Sequence, residues 1–377
     1  LPLLISGIAG VAGYNAFHYF HSRYPGQVIG TRRTDNWPLA GVGVEPCELH
    51  DPAAVARLFD RYQFASILNC EGTCKLKSCE LAPELADRVN VESVRTLLRQ
   101  IRGTSTRLVH LSVDLVFSGT AGGGHVEEDV PDPVTVYGKT MWAAEQVILG
   151  QRPAACVLRI SLPMGVSFSG HAGAIDWIQS RFRKSKPATL FYDEIRTPKY
   201  TDCLNVLCET MLANDLQGLY HAGAPRRMSL YEIAQVINRV GGYDARHLIG
   251  CYRHEVGPIP PRAGDVTMDS SKLIGVLGYD PCDPWPLDDC WVPTHRDWHC
   301  ERPPGEGGCP ELLGRVLCCN PARRRLALGS SRLVVPPTVA ADAGISLSAH
   351  RPDGPGWPRE QGEGSAQLLL NTGRVPS

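Results

Sequence analysis

The sequence predicts an α/β chain, a doubly wound parallel sheet followed by a smaller carboxyl-terminal lobe. Three observations predict it. Short apolar runs alternate with amphipathic segments through the first two-thirds of the 377 residues. Those runs are apolar throughout instead of alternating, as strands covered on both faces are. The first run also ends in glycines that lead straight into a helix. We assign 1–160 to the sheet domain and 161–300 to a lobe interleaved with it. The Gly- and Pro-rich stretch 301–377 has no apolar periodicity and is expected to be a disordered tail.

In order, LPLLISG (Leu1–Gly7) reads as a buried strand and YNAFHYFHSRY (Tyr14–Tyr24) as the helix after it. GQVIGTRR is the second strand. DPAAVARLFDRY is a helix, because Asp51 is a good N-cap and Pro52 suits the first helical position. FASILNC is a strand, PELADRVNVESVRTLLRQI a helix and RLVHLSVDLVF a strand. A glycine-rich lip at Gly119–Gly124, a helix around Tyr137–Leu149 and the strand ACVLRIS follow. Beyond Pro163 three helical segments, GAIDWIQSRFRKSK, TDCLNVLCETMLAND and SLYEIAQVINRVGG, enclose one strand, GLYHAGA.

Bulk properties exclude some roles. A net charge of −1 gives no general attraction to nucleic acid or anionic membranes. No apolar run reaches the ~18 residues of a membrane span. The first strand starts at once, leaving no room for a signal peptide, and fourteen scattered cysteines suit free thiols in a reducing cytoplasm.

Gly7-Ile8-Ala9-Gly10-Val11-Ala12-Gly13 lies between a strand and a helix, the context that gives such glycines meaning. Gly7 permits the tight turn, Gly10 lets the backbone approach a diphosphate, and Gly13 brings helix and strand together. The helix N-terminus adds oriented N–H groups. This is a Rossmann-type dinucleotide loop. At the end of the second strand, Arg32 and Arg33 stand where an acid would hold a ribose hydroxyl, so NADP(H) is favoured over NAD(H).

From about Leu3 to Trp298 the chain resembles the extended short-chain dehydrogenase/reductases. It is most similar to the dTDP-4-dehydrorhamnose reductase branch, which includes the NADP-binding regulatory β subunit of methionine adenosyltransferase. The glycines, ELHDPAAVARLF, ILNCEGT, PELADRVNVESVRTLL, LVHLSVDLVFSGT, VYGKTMWAAE, VLRISLPMG, DEIRTPKYTDCL and DVTMDSSKL carry the resemblance. It implies that Leu49 lies near the adenine. It also implies that Asn69, Cys70, Glu71, Ser112, Tyr137 and Met141 border the cofactor, and that Val113, Thr197 and Arg262 face a sugar nucleotide. Cys70 and Glu71 replace small apolar residues, and a carboxylate there would repel cofactor phosphates.

The family's catalytic Ser/Thr, Tyr and Lys map onto Val113, Tyr137 and Met141. The tyrosine donates a proton to a carbonyl oxygen, and the lysine lowers its pKa. Only Tyr137 survives. Lys139 stands about 200° around the helix from Tyr137, whereas Met141 is offset by about 40°. Ser112 points to the opposite side of its strand from Val113. The resemblance therefore implies either of two functions. One is an NADP(H)-dependent reductase of a nucleotide-linked 4-keto sugar with Tyr137 as proton donor. The other is a weakly active or inactive binding protein, acting as a regulatory subunit or sensor. A homodimer or a regulatory partner protein is compatible with both.

Cys70, Cys74 and Cys79 are spaced C-x3-C-x4-C, which does not match zinc-ribbon pairs, and we assign no metal. HRDWHC near Cys290 matches no ligand spacing either. KLKSC and RFRKSK read as solvated basic runs.

Overall fold

Seven strands make one parallel sheet in the computed structural model, which describes residues 2–170 and 172–301 together with Leu313 and Val316. They are β1 (Leu3–Ile5), β2 (Val28–Arg32), β3 (Val44–Pro46), β4 (Ser66–Asn69), β5 (Arg107–Val113), β6 (Cys156–Ile160) and β7 (Gly218–Ala222). Their order is β7-β6-β5-β4-β1-β2-β3, so the sequence reverses direction between β1 and β4. In a doubly wound sheet, ligands bind outside the carboxyl ends of the strands at that reversal.

Helices α1 (Val11–Arg23), α2 (Pro52–Arg61), α3 (Leu76–Leu81), α4 (Pro83–Asp87), α5 (Ser93–Gln100) and α6 (Val136–Gln151) follow in order. Later come α7 (Ala174–Arg183), α8 (Thr201–Ala213), α9 (Leu230–Gly241) and α10 (Ser271–Leu277). Alternation along β1 divides the core in two. Leu3 and Ile5 join Phe17, Phe20, Leu204, Leu207 and Leu273 on the α1/α8/α10 side. Leu4 joins Val55, Leu58, Leu97 and Ile148 on the α2/α5/α6 side. Each such side chain, fully buried, is worth roughly 1.5–3 kcal/mol. The α2 start is as expected: Asp51 accepts from the Ala53 N–H at 2.9 Å, and Pro52 holds the first helical position.

The second lobe packs Ile175 and Ile178 of α7 against Ile233, Val236 and Ile237 of α9 around Trp285. It is less helical than the sequence suggested, because three two-stranded sheets support it, including Ala188–Phe191 paired in parallel with Leu248–Cys251. Strands this short leave no periodicity to read. Three further differences have local causes. KLKSC enters α3, a helix the sequence reading did not identify; it buries Cys79, while Lys75 and Lys77 stay exposed as expected of a solvated basic run. The expected single helix from Pro83 is interrupted by a π-helical turn, Arg88–Glu92. β5 stops at Val113 and turns into a 3-10 turn, Asp114–Val116.

The tail expectation is corrected at two positions. Leu313 is 2% exposed within the core of the second lobe, and the Val316 carbonyl accepts from the Tyr200 hydroxyl at 2.9 Å. The remainder of that expectation falls outside the described residues.

Candidate functional site

The glycines of the first turn divide the work. Gly7 has φ +66°, and a Cβ there would lie 2.5 Å from the Cys70 carbonyl oxygen. At Gly13 a Cβ would lie 2.3 Å from the Gly7 carbonyl oxygen, so α1 is held tightly against the turn. Gly10 differs. It is the N-cap of α1 with no side-chain cap, and a Cβ there would meet only the Gly7 carbonyl oxygen, at 3.6 Å. The protein's own packing does not require glycine at this position, which leaves the backbone open to an approaching group. No acidic residue occupies the first turn of α1. Open backbone N–H groups without nearby first-turn carboxylates fit a diphosphate. Ile8 and Val11 are buried behind the turn, and Ala9 is half-buried.

Behind the turn, Ser6 donates to the Asn69 Oδ1 at 2.5 Å and accepts from the N–H groups of Cys70 (3.0 Å) and Glu71 (3.2 Å). Asn69 Oδ1 also accepts from the Glu71 N–H at 3.2 Å, and its Nδ2 meets His110 Nδ1 at 2.9 Å. Asn69 therefore braces the β4 loop from within. Burial pushes the Glu71 carboxyl up to about 7; Arg33 opposes this, and Glu48 and Asp35 add to it.

At the end of β2, Arg33 pairs with Asp35 at 2.9 Å, and Arg32 donates to the carbonyls of Arg33 and Thr34. Glu48 accepts from both the Thr34 N–H and hydroxyl, at 2.8 and 2.7 Å. Two cations thus share this end with carboxylates. The Leu49 side chain is 2% exposed and belongs to the α2/α5/α6 core, so only its periphery is left for an adenine.

Tyr137 enters the site on the first turn of α6. Thr135 caps that turn by accepting from the Gly138 N–H at 2.9 Å, and Glu80 accepts from the Val136 N–H at 2.7 Å. Gly138 lets the helix close on the 3-10 turn, since a Cβ there would lie 2.1 Å from the Leu115 carbonyl oxygen. Tyr137 and Met141 are both buried, while Lys139 is exposed. Lys139 is thus not in position to replace the lysine. Burial first, then Cys74, Asp114 and Cys79, push the Tyr137 phenol well above its ordinary value, and Arg196 pulls it down. Val113 is half-buried at the end of β5. Ser112 faces the other way and donates to Glu145, inside a fully buried cluster where Arg159 meets Glu145 at 2.7 Å. Its hydroxyl is committed there, leaving only its backbone for a cofactor.

Next to Tyr137, Arg196 bridges Asp114 (2.7 Å) and Glu194 (2.8 Å), all three buried. Asp114 also accepts from Ser161 at 2.6 Å, and Ser161 accepts from the Thr197 N–H at 3.2 Å. Thr197 lines a cavity of about 250 Å³ with Gly223, Arg227, Thr267 and Ser270. Arg262 lies outside that lining, 3.8 Å from Glu194 and stacked over Phe191. The ion network therefore ties the surroundings of Tyr137 to Thr197 and Arg262, two of the three expected substrate-side residues.

The sequence reading missed Ser6, Asn90 and the Asp114–Arg196 pair. Asn90 accepts from the Thr73 N–H and donates to Thr140 Oγ1, both at 2.8 Å, so it joins the β4 loop to α6 beside Met141. A polar residue between Val89 and Val91, on the apolar side of an amphipathic helix, was the available signal. Its place on a π turn is typical of functional positions. Among the described residues no group of three or more His, Cys, Asp or Glu could hold a metal. No helix among them is long and apolar enough to cross a membrane.

The sheet, the glycine turn and the α6 tyrosine define a protein of the short-chain dehydrogenase/reductase type. The sequence matches the RmlD substrate binding domain family over residues 3–285, and the chain belongs to that family. It is 26% identical over 253 residues to the probable low-salt glycan biosynthesis reductase Agl14 of Haloferax volcanii, covering 67% of this chain and 84% of that protein. It is 28% identical over 255 residues to the methionine adenosyltransferase 2 subunit beta of Xenopus laevis, covering 64% and 75%. Among solved structures, a hypothetical dTDP-4-dehydrorhamnose reductase from Sulfolobus tokodaii shares the fold with a TM-score of 0.64 at 22% identity, covering 74% of this chain and 96% of that one.

Proposed function

We propose that the chain binds NADP(H) at the Gly7–Gly13 turn and slowly reduces a nucleotide-linked 4-keto sugar, with Tyr137 as proton donor. The observation that carries the reading is Gly10, whose missing side chain leaves a cradle that nothing among the described residues fills. When bound, the coenzyme supplies hydride to the carbonyl carbon. The α1 N–H groups hold its diphosphate, and Arg32 and Arg33 favour the 2′-phosphate. Tyr137, kept protonated by burial, donates to the carbonyl oxygen. Thr197 and Arg262 would meet the sugar nucleotide. General acid catalysis contributes ~10²–10⁴-fold when the acid is tuned. Here Met141 supplies no cation, so turnover is slow.

Val113, Met141 and the exposed Lys139 favour a second reading, a coenzyme-binding regulatory subunit with negligible turnover; a methionine adenosyltransferase 2 subunit beta is among the relatives. One experiment separates the two: NADPH oxidation against a panel of nucleotide 4-keto sugars, alongside NADPH fluorescence titration. Turnover that disappears in Tyr137→Phe supports the reductase. Binding without turnover supports the regulatory subunit, and failure to bind either coenzyme overturns both.

A further inference from the structure

We propose that Glu71 makes coenzyme binding proton-linked: the dinucleotide binds with the Glu71 carboxyl neutral, and the ionised carboxylate repels it. This rests on the coenzyme reading above and adds a control to that site.

The geometry fixes Glu71 in place. Its Cα lies 2.9 Å from where a Cβ on Gly7 would sit, directly against the phosphate turn. Its N–H is held by Ser6 Oγ and Asn69 Oδ1, both at 3.2 Å, so the loop cannot swing the residue away without breaking the Asn69 brace. Among the described residues the Glu71 carboxyl has no hydrogen bond or ion pair. The groups that face it come from three strand ends. Arg33 and Asp35 follow β2, Cys47 and Glu48 follow β3, and Cys70 follows β4. Arg33 is already paired with Asp35 at 2.9 Å, so one cation serves three carboxylates.

The carboxyl already titrates near about 7 in the free protein. A diphosphate brought to the adjacent turn adds like charge, which disfavours ionisation further. Above neutrality, binding therefore takes up a proton at Glu71. The neighbouring thiols are silent in this range, because burial pushes Cys47 up to about 12 and Cys70 well up too.

The test is the Kd of NADH and of NADPH from pH 6 to 9, with calorimetry at pH 8 in phosphate and in Tris buffer. NADH lacks the 2′-phosphate, whose own titration near ~6 would otherwise intrude. We expect a flat Kd below about pH 7, then weakening that approaches tenfold per unit, with about one proton taken up. In Glu71→Gln and Glu71→Ala the Kd becomes flat, and at pH 8 it is about tenfold tighter than wild type. A flat wild-type profile, or the same slope in the variants, overturns the inference while leaving the coenzyme site standing. Binding by Glu71→Gln alone supports it. No binding by any form at any pH overturns both the inference and the coenzyme reading.

Discussion

Met141 follows Tyr137 by one helical turn on the buried side of α6, the two being 2% and 8% exposed. The family's cation would stand there, and a thioether stands in its place. Installing Met141→Lys with Val113→Thr is expected to raise NADPH oxidation at least tenfold, by lowering the tyrosine pKa and adding a hydroxyl. Lys139→Ala is expected to change it less than twofold. Steady-state rates check both. An unimproved double variant that still binds NADPH would place the obstacle in the substrate pocket.

Gly10 and Gly13 differ in what an added methyl would meet. Gly13→Ala drives its Cβ to 2.3 Å from the Gly7 carbonyl oxygen, so both Tm and coenzyme affinity are expected to fall. Gly10→Ala keeps the fold, since its nearest contact is at 3.6 Å, but weakens coenzyme binding tenfold or more. Thermal unfolding with a fluorescence titration separates the cases. Normal coenzyme affinity in Gly10→Ala would remove the basis for the proposed site.

Arg196→Met leaves Asp114 and Glu194 buried without their shared cation. The expected loss is about 3–5 kcal/mol, the usual cost of breaking a buried pair from one side. Urea unfolding measures it. Adding Asp114→Asn and Glu194→Gln is expected to restore much of that loss, and no recovery would mean that packing, not charge, dominates there.

Burial holds His110 down to about 4, and burial with Arg159 holds His221 down to about 4. In the unfolded chain both titrate near ~6.5. The unfolded state therefore binds protons that the folded state refuses, and stability falls as pH drops from about 6.5 to 4. The slope approaches about 1.4 kcal/mol per pH unit for each histidine. Glu71 acts in the opposite direction: its folded value is raised to about 7, so its contribution declines as pH rises from about 4.5 to 7. Urea melts from pH 4 to 8 on wild type and Glu71→Gln separate the two, and a variant curve identical to wild type would count against the raised carboxyl.

The sheet and the phosphate turn were legible because their signals are local. Apolar runs, Asp51-Pro52 and the glycine spacing each act within a few residues. That Lys139 and Ser112 stand away from Tyr137 was legible too, since helix and strand geometry alone place them there. What stayed hidden depends on distant partners. Asp114 and Arg196 are 82 residues apart in sequence, as Ser6 and Asn69 are 63 apart. No spacing rule connects such pairs. Leu49 shows the same limit from the other side, because only the packed core tells that its side chain is already enclosed.

Leu313 and Val316 also give the second lobe a downstream clasp. A gene cut after codon 301 would still encode every strand of the large sheet, yet it would unplug the space that Leu313 fills and strip an acceptor from Tyr200. Vacating a buried leucine position typically costs 2–5 kcal/mol, and the loosened wall would be the one carrying Thr197. Ending the chain at residue 301 is therefore expected to blunt ligand recognition before it disturbs the sheet.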